Sequence, residues 1–282
     1  MKVTNVGLYS PTLEEAINFS LINPFRTDQY FVKNIIGLDS DDLIPKFYGF
    51  ALNSKARFYD FGMKPREIVI RLVLRPRFHL DESYSDVRDE LYRAISATRT
   101  GAVVLHFNAG ATTVSRIQGF ITKFEVPYFN KEPEVQLTIT CDDPMFRSIN
   151  SIYYEPEDLK TTNPILIGDS LSTAPHGFVM EVTLKANIPS FTIQDKQTDP
   201  EWRFRIIPSG GFLIGDVLHI SSEHSDKSLH IVRSGSTIPL VDKIEPGSMW
   251  PIIFPGTNDF HFVDIASFDW VSLEYYAAYW GV

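Results

Sequence analysis

The segment VQLTITCDDPMF, residues 135–146, constrains this chain more than any other. Val135, Leu137, Ile139 and Cys141 alternate with Gln136, Thr138 and Thr140. That is the period of a strand with one buried face. The alternation stops at Asp142-Asp143-Pro144. Pro144 has no N–H to give to a sheet and disfavours helical geometry at Asp143. A β-rich unit therefore ends here, and the chain leaves it at a set angle. Residues 146–163 have no clean period, and strand-like runs resume after them. The pattern predicts a mainly β protein: an N-terminal β-rich domain over 1–146, a linker over 147–164 and a C-terminal antiparallel β-sandwich over 165–282.

In the first half, short strands are expected over 3–9, 31–38, 66–75 and 102–107, with a longer one over 115–126 that carries Gly119 inside it. A glycine within a strand marks a bulge or a close backbone approach. Residues 13–19 read as a helical turn, and 45–63 as aromatic and irregular. One helix stands out over 83–99. Tyr84, Val87, Leu91, Ala94, Ile95 and Thr98 fall at steps of three and four, giving a single apolar stripe. Ser83 with Asp86 is a weak capping box, and Gly101 ends the helix. In the second half, short runs at 178–185, 191–194, 202–207, 212–220, 229–233, 259–265 and 271–280 read as strands separated by turns, including a turn at Pro255-Gly256-Thr257-Asn258.

Composition narrows the function. The formal net charge of −9 argues against phosphate binding, which needs concentrated Lys and Arg. The single Cys141 allows no internal disulfide and fits a reducing compartment. No apolar run approaches the ~18 residues that cross a bilayer, and MKVTNVGLYSPTLEE lacks the apolar core of a signal peptide. Synthesis in the cytoplasm without membrane insertion is the expectation. Aromatic residues make up 13% of the chain, more than one ordinary core demands, which suits a chain that buries interfaces.

No motif for catalysis is convincing. His219, His224 and His230, with Asp216 or Glu223, offer the residue types of a metal site. They fall on a strand, a hairpin loop and a return strand, so their side chains need not converge, and solvated or structural roles are expected. Asp142 and Asp143 are adjacent and point apart on an extended chain, which suits turn residues better than an acid–base pair. Ser209-Gly210-Gly211 lacks the glycine that a nucleophile elbow needs two places before its serine. Residues 108–111 make no phosphate cradle, and Cys141 reads as a small buried apolar residue. No catalytic residue, cofactor site or metal site is assigned. The late aromatic set Phe268, Trp270, Tyr275, Tyr276, Tyr279 and Trp280 reads as a core face plus an interface. In the alternative reading Trp270, Tyr276 and Trp280 stack sugars, and the chain is a carbohydrate-binding module for host cell-surface glycans. A metal hydrolase centred on 216–230 is a further rival.

The order of features resembles the distal tail (Dit-like) protein family of siphophages. The pieces are the Gly37-Leu38-Asp39 corner, the Arg-led strand 66–75, and Tyr84 with Arg88-Asp89-Glu90-Leu91 on the helix. They continue with Gly119, Ile121, Phe124, Glu125, Pro127 and Phe129, then the closing Cys141, Asp143, Pro144 and Phe146 as a domain-boundary motif. Phe254-Pro255-Gly256-Thr257-Asn258 and the aromatic final strand complete the series. The resemblance implies a galectin-like second domain and a non-enzymatic virion protein at the phage tail tip or baseplate. It implies a hexameric ring around a channel through which DNA passes without specific binding. Its implied neighbours are the major tail tube protein, the tail hub or tail-associated protein, the tape-measure protein and receptor-binding or side-fibre proteins. Some relatives insert a long arm in the second domain to grip receptor-binding proteins, whereas residues 195–201 are expected here to be only a loop. Phe47, Tyr48, Phe58, Tyr59 and Phe61, with the 108–114 loop, are the candidate subunit contacts, because an aromatic segment without period leaves apolar surface exposed.

Overall fold

The computed structural model describes residues 3–13, 16–21, 29–39, 44–48, 57–62, 64–77, 80–110, 112–126, 134–155, 164–195, 202–224 and 226–282, and for 44–48, 57–62, 270 and 271 the main chain alone. The chain divides into two compact units, Met1–Ile149 with Trp280–Val282, and Asn150–Tyr279. No helix among the described residues is long and apolar enough to cross a membrane, which leaves β-barrel spans unaddressed.

In the first unit, β1 is Asn5–Tyr9, β2 Ile17–Ser20, β3 Tyr30–Ile36, β4 Ile44–Tyr48, β5 Arg57–Gly62 and β6 Arg66–Leu74. After the helix α1, Tyr84–Thr98, come β7 Val103–Ala109, β8 Thr112–Glu125, β9 Glu134–Cys141 and β10 Phe146–Arg147. Seven of these strands run in the order β8-β7-β1-β2-β3-β6-β9, and a β8–β9 pairing closes them into a barrel. Closure removes the exposed edges that an open sheet would have to protect. The fourteen-residue β8 makes it possible: Thr112–Gly119 pair with β7, and Phe120–Glu125 pair with β9. Gly119 stands at the changeover. A Cβ there would lie 2.7 Å from Thr140 O and 2.8 Å from Cys141 Sγ, so the sequence expectation of a close approach is met.

Period two holds inside the barrel. Ile68, Ile70, Leu72 and Leu74 of β6 are buried, as are Val135, Leu137, Ile139 and Cys141 of β9. The helix lies against β6 and buries Val87, Leu91, Ile95 and Thr98. Tyr84, expected in that stripe, is instead 47% exposed, because it occupies the first helical position at the stripe's end. The capping box is complete: Ser83 Oγ accepts from the Asp86 N–H at 3.3 Å, and Asp86 Oδ2 accepts from the Ser83 N–H at 2.9 Å.

Two readings of this half are corrected. The predicted helical turn over 13–19 gives way to β2, whose Ile17 pairs with Leu8 of β1; a neighbouring strand outweighs local propensity over so few residues. Residues 45–63 contain an antiparallel hairpin, β4–β5, in a two-stranded sheet of its own. Its register shifts between Lys46 and Phe47, and such a bulge breaks the alternation that would have betrayed the strands.

In the second unit, β11 is Ile152–Tyr154, β12 Ile165–Asp169, β13 Val179–Leu184, β14 Phe191–Asp195 and β15 Trp202–Ile206. These are followed by β16 Val217–Ser221, β17 Ser228–Arg233, β18 Ser236–Pro239, β19 Gly256–Phe262 and β20 Phe268–Tyr275. They form a six-stranded sheet, β11-β20-β13-β16-β17-β18, and a four-stranded sheet, β12-β19-β14-β15. Every pairing within them is antiparallel. The inner faces share one core, with Phe178, Phe191, Phe204, Phe212, Phe260, Leu218 and Ile220 at its centre, the architecture of a β-sandwich.

The stretch 147–164 includes Arg147 of β10 and all of β11. Two expectations change here. The strand expected over 212–220 begins only at Val217: Asp216 Oδ2 accepts the Leu213 N–H at 2.8 Å and Gly215 sits at φ 83°, which folds 212–216 into a turn. The turn at 255–258 is over by Gly256, where β19 starts. Asn258 is a buried strand residue that donates to Phe254 O at 2.9 Å and to Ile167 O at 3.3 Å.

Candidate functional site

Arg66 opens β6 in phase with the buried Ile68 and Ile70, so its side chain enters the barrel and is 1% exposed. Its register partner is Cys141, the last residue of β9. The guanidinium therefore lies where both strands run out and main-chain carbonyls lack sheet partners. Nε donates to Pro144 O at 2.6 Å, and Nη1 to Gly37 O at 2.9 Å and Asp39 O at 2.6 Å. Nη2 donates to Trp280 O at 2.8 Å. The Phe146 ring lies against the guanidinium, 4.8 Å from centroid to Cζ, and meets Phe107 edge to face at 5.4 Å.

Three motif pieces that stand far apart in the sequence thus converge on one side chain: Gly37-Leu38-Asp39, Arg66, and the boundary motif of Cys141, Asp143, Pro144 and Phe146. Each contributes for a local reason. Gly37 has φ +92°, and a Cβ there would fall 2.1 Å from Glu67 O, so only glycine lets the corner lie on β6. Asp143 Oδ1 accepts the Met145 N–H at 3.1 Å, and Oδ2 accepts from Arg147 Nη2 at 2.9 Å. The carboxylate is a turn-former, as the sequence suggests. Cys141 is fully buried.

Two of the three histidines meet. The β16–β17 register puts His219 opposite His230, and their rings stack at 4.8 Å and 14°. Glu181 Oε2 lies 3.3 Å from His219 Nδ1. The hairpin turn length, which sets the register, is the sequence signal that reveals this adjacency. Burial, then the neighbouring His219, pushes the His230 imidazole below its ordinary pKa. His224 is exposed, and Asp216 is committed to Arg233 at 2.6 Å. Among the described residues no three His, Cys, Asp or Glu side chains gather as a metal site would need.

Sequence reading missed the buried pair Asp169–His176. His176 Nε2 lies 2.8 Å from Asp169 Oδ2, with both side chains fully buried, and the imidazole stacks on Tyr275 at 4.8 Å. Asp169 Oδ1 also accepts the Ser172 N–H at 3.0 Å. Both ring nitrogens of His176 are engaged, since Nδ1 faces Gly177 O at 2.9 Å, and the pair reads as structural.

The candidate contacts Phe47, Tyr48, Phe58, Tyr59 and Phe61 stand on β4 and β5, with side chains outside the described residues. Of the sugar-stacking set, the Trp270 side chain is likewise outside them, Tyr276 is half-buried, and Trp280 counts with the first unit.

No protein-family model matches the sequence, nor does any curated protein. Among solved structures, the chain is similar to the Dit (gp 19.1) protein of phage SPP1. The TM-score is 0.58 at 12% identity, over 90% of this chain and 95% of that one. Chains from the phage p2 baseplate in its activated conformation align at TM-scores of 0.41 (with Sr; 10% identity, 97% and 98% of the two chains) and 0.43 (with Ca; 10% identity, 98% of each). The p2 scores are too low to add to the assignment. The closed barrel with its single helix, the two-sheet sandwich after it, and an end-to-end superposition on SPP1 Dit give this chain the fold of the distal tail proteins.

Proposed function

We propose that this chain is a structural component of a phage tail tip or baseplate. In this reading residues 1–146 of six copies form a ring around a channel, and residues 165–282 form a sandwich carried by that ring. The ring joins the tail tube to the hub and adsorption apparatus, and DNA passes through its centre. The observation that carries the reading is the superposition on SPP1 Dit over nearly the whole of both chains, a protein described as a paradigm of the hub adsorption apparatus in phages that infect Gram-positive bacteria. The net charge of −9 supports a channel that does not hold phosphates. The β4–β5 hairpin, a two-stranded sheet among the described residues, supports a subunit contact there, since an isolated hairpin is marginal in water.

The test is mass by light scattering with negative-stain microscopy over a range of concentrations, on the wild type and on the double variant Phe58→Asp, Tyr59→Asp. Six-fold rings in the wild type and folded, unassembled protein in the variant are the expected results. Rings in both would remove the hairpin from the interface. A monomer under every condition, also when mixed with tube and hub proteins, would overturn the ring.

A further inference from the structure

The chain leaves the first unit at Ile149 and re-enters it at Trp280, so the second unit is an insertion between two crossings. One guanidinium holds main chain on both sides of that insertion. Arg66 Nε donates to Pro144 O on the outgoing side, and Nη2 donates to Trp280 O on the return. We infer that Arg66 is a clasp: it ties the outgoing and returning chain to one point of the barrel, so that the two crossings are held, and released, together.

The chemistry suits that task. A guanidinium is planar and presents five N–H groups in fixed directions, so the carbonyls it serves are fixed relative to one another. At 1% exposure, water does not compete for them. Each side is also secured beside the clasp. On the outgoing side Phe146 packs on the guanidinium, and Asp143 ties Met145 and Arg147. On the return, the Val282 N–H donates to Leu38 O at 3.3 Å. A Cβ at Gly281 would lie 2.7 Å from the same oxygen, so the returning chain runs flush against the corner whose Gly37 and Asp39 carbonyls Arg66 also holds. A lysine has one charged centre and cannot reach four carbonyls in divergent directions. The inference does not depend on ring formation.

Amide hydrogen exchange on the full-length chain tests it, with the hydrogen-bonded amides of Met145 and Val282 as reporters of the two crossings. In Arg66→Lys both should exchange faster together, by roughly tenfold or more, while amides in β1, β7, β13 and β16 keep their wild-type rates. Gly281→Ala disturbs the return segment and the corner it lies against, and its Cβ meets no atom of the outgoing side. If the clasp couples the crossings, Met145 also exchanges faster in that variant, and this result decides the matter should Arg66→Lys fail to fold. Acceleration at Val282 alone in Gly281→Ala, or a uniform loosening of the barrel in Arg66→Lys, would overturn the clasp.

Discussion

Gly119 shows how a single atom controls barrel closure. Its missing Cβ lets β8 pass within contact of Thr140 O, Cys141 Sγ and Ile139 Cγ2. Gly119→Ala should cost about 1–3 kcal/mol, the usual penalty for overpacking, read as a lower urea midpoint at unchanged slope. Gly101→Ala is the control, because nothing lies within 4 Å of a Cβ there, and its effect should stay within about 0.5 kcal/mol. The crowding at Gly119 is visible in sequence as a glycine inside an alternating run. Asp143 was equally legible, since its hydrogen bonds reach two and four residues along the chain. Arg66 was not: its partners lie 27, 29, 78 and 214 residues away. Local pattern carries no information about such carbonyls.

The hairpin β16–β17 contributes to the pH response of the sandwich. His230 is held below its ordinary pKa by burial and then by His219. As pH falls below about 6.5, the unfolded chain takes up a proton that the folded chain resists, and stability declines. Burial raises the Asp216 carboxyl, but the Arg233 hydrogen bond and the Leu213 N–H outweigh it, leaving the pKa lowered. Its stabilisation is full above about pH 4 and is lost as pH falls through the folded value. Urea titrations should therefore show two stages of acid destabilisation. Trp202 and Trp250 fluorescence reports the second unit. His230→Gln should remove the upper stage, and Asp216→Asn should shrink the lower one, to which Asp169 also contributes, while weakening the fold at neutral pH; a single stage in the wild type would contradict this account. Elements with local signals, such as the capped helix and the alternating β6 and β9, were readable in sequence. The bulged β4–β5 hairpin and the four-residue β2 were not, because a register shift hides the period in one and the other exists through its partner β1.

At the scale of the whole molecule, the charge of −9 bears on the proposed channel. The intact protein should show no retention of double-stranded DNA in a gel shift at about 0.15 M salt, since binding there depends on phosphate neutralisation by Lys and Arg. Salt-sensitive micromolar binding would count against a channel that DNA slides through. Sequence alone determined the mainly β class, a helix with its cap and the order of motifs that resembles the distal tail proteins, because each is written in neighbouring residues. Only the tertiary structure decided that β8 closes a barrel, that His219 stacks on His230, that Asp169 and His176 pair in the core, and that Trp280 returns to the first unit under Arg66. Those outcomes depend on which distant segments meet, and that is settled by packing and by the need of every buried donor and acceptor for a partner.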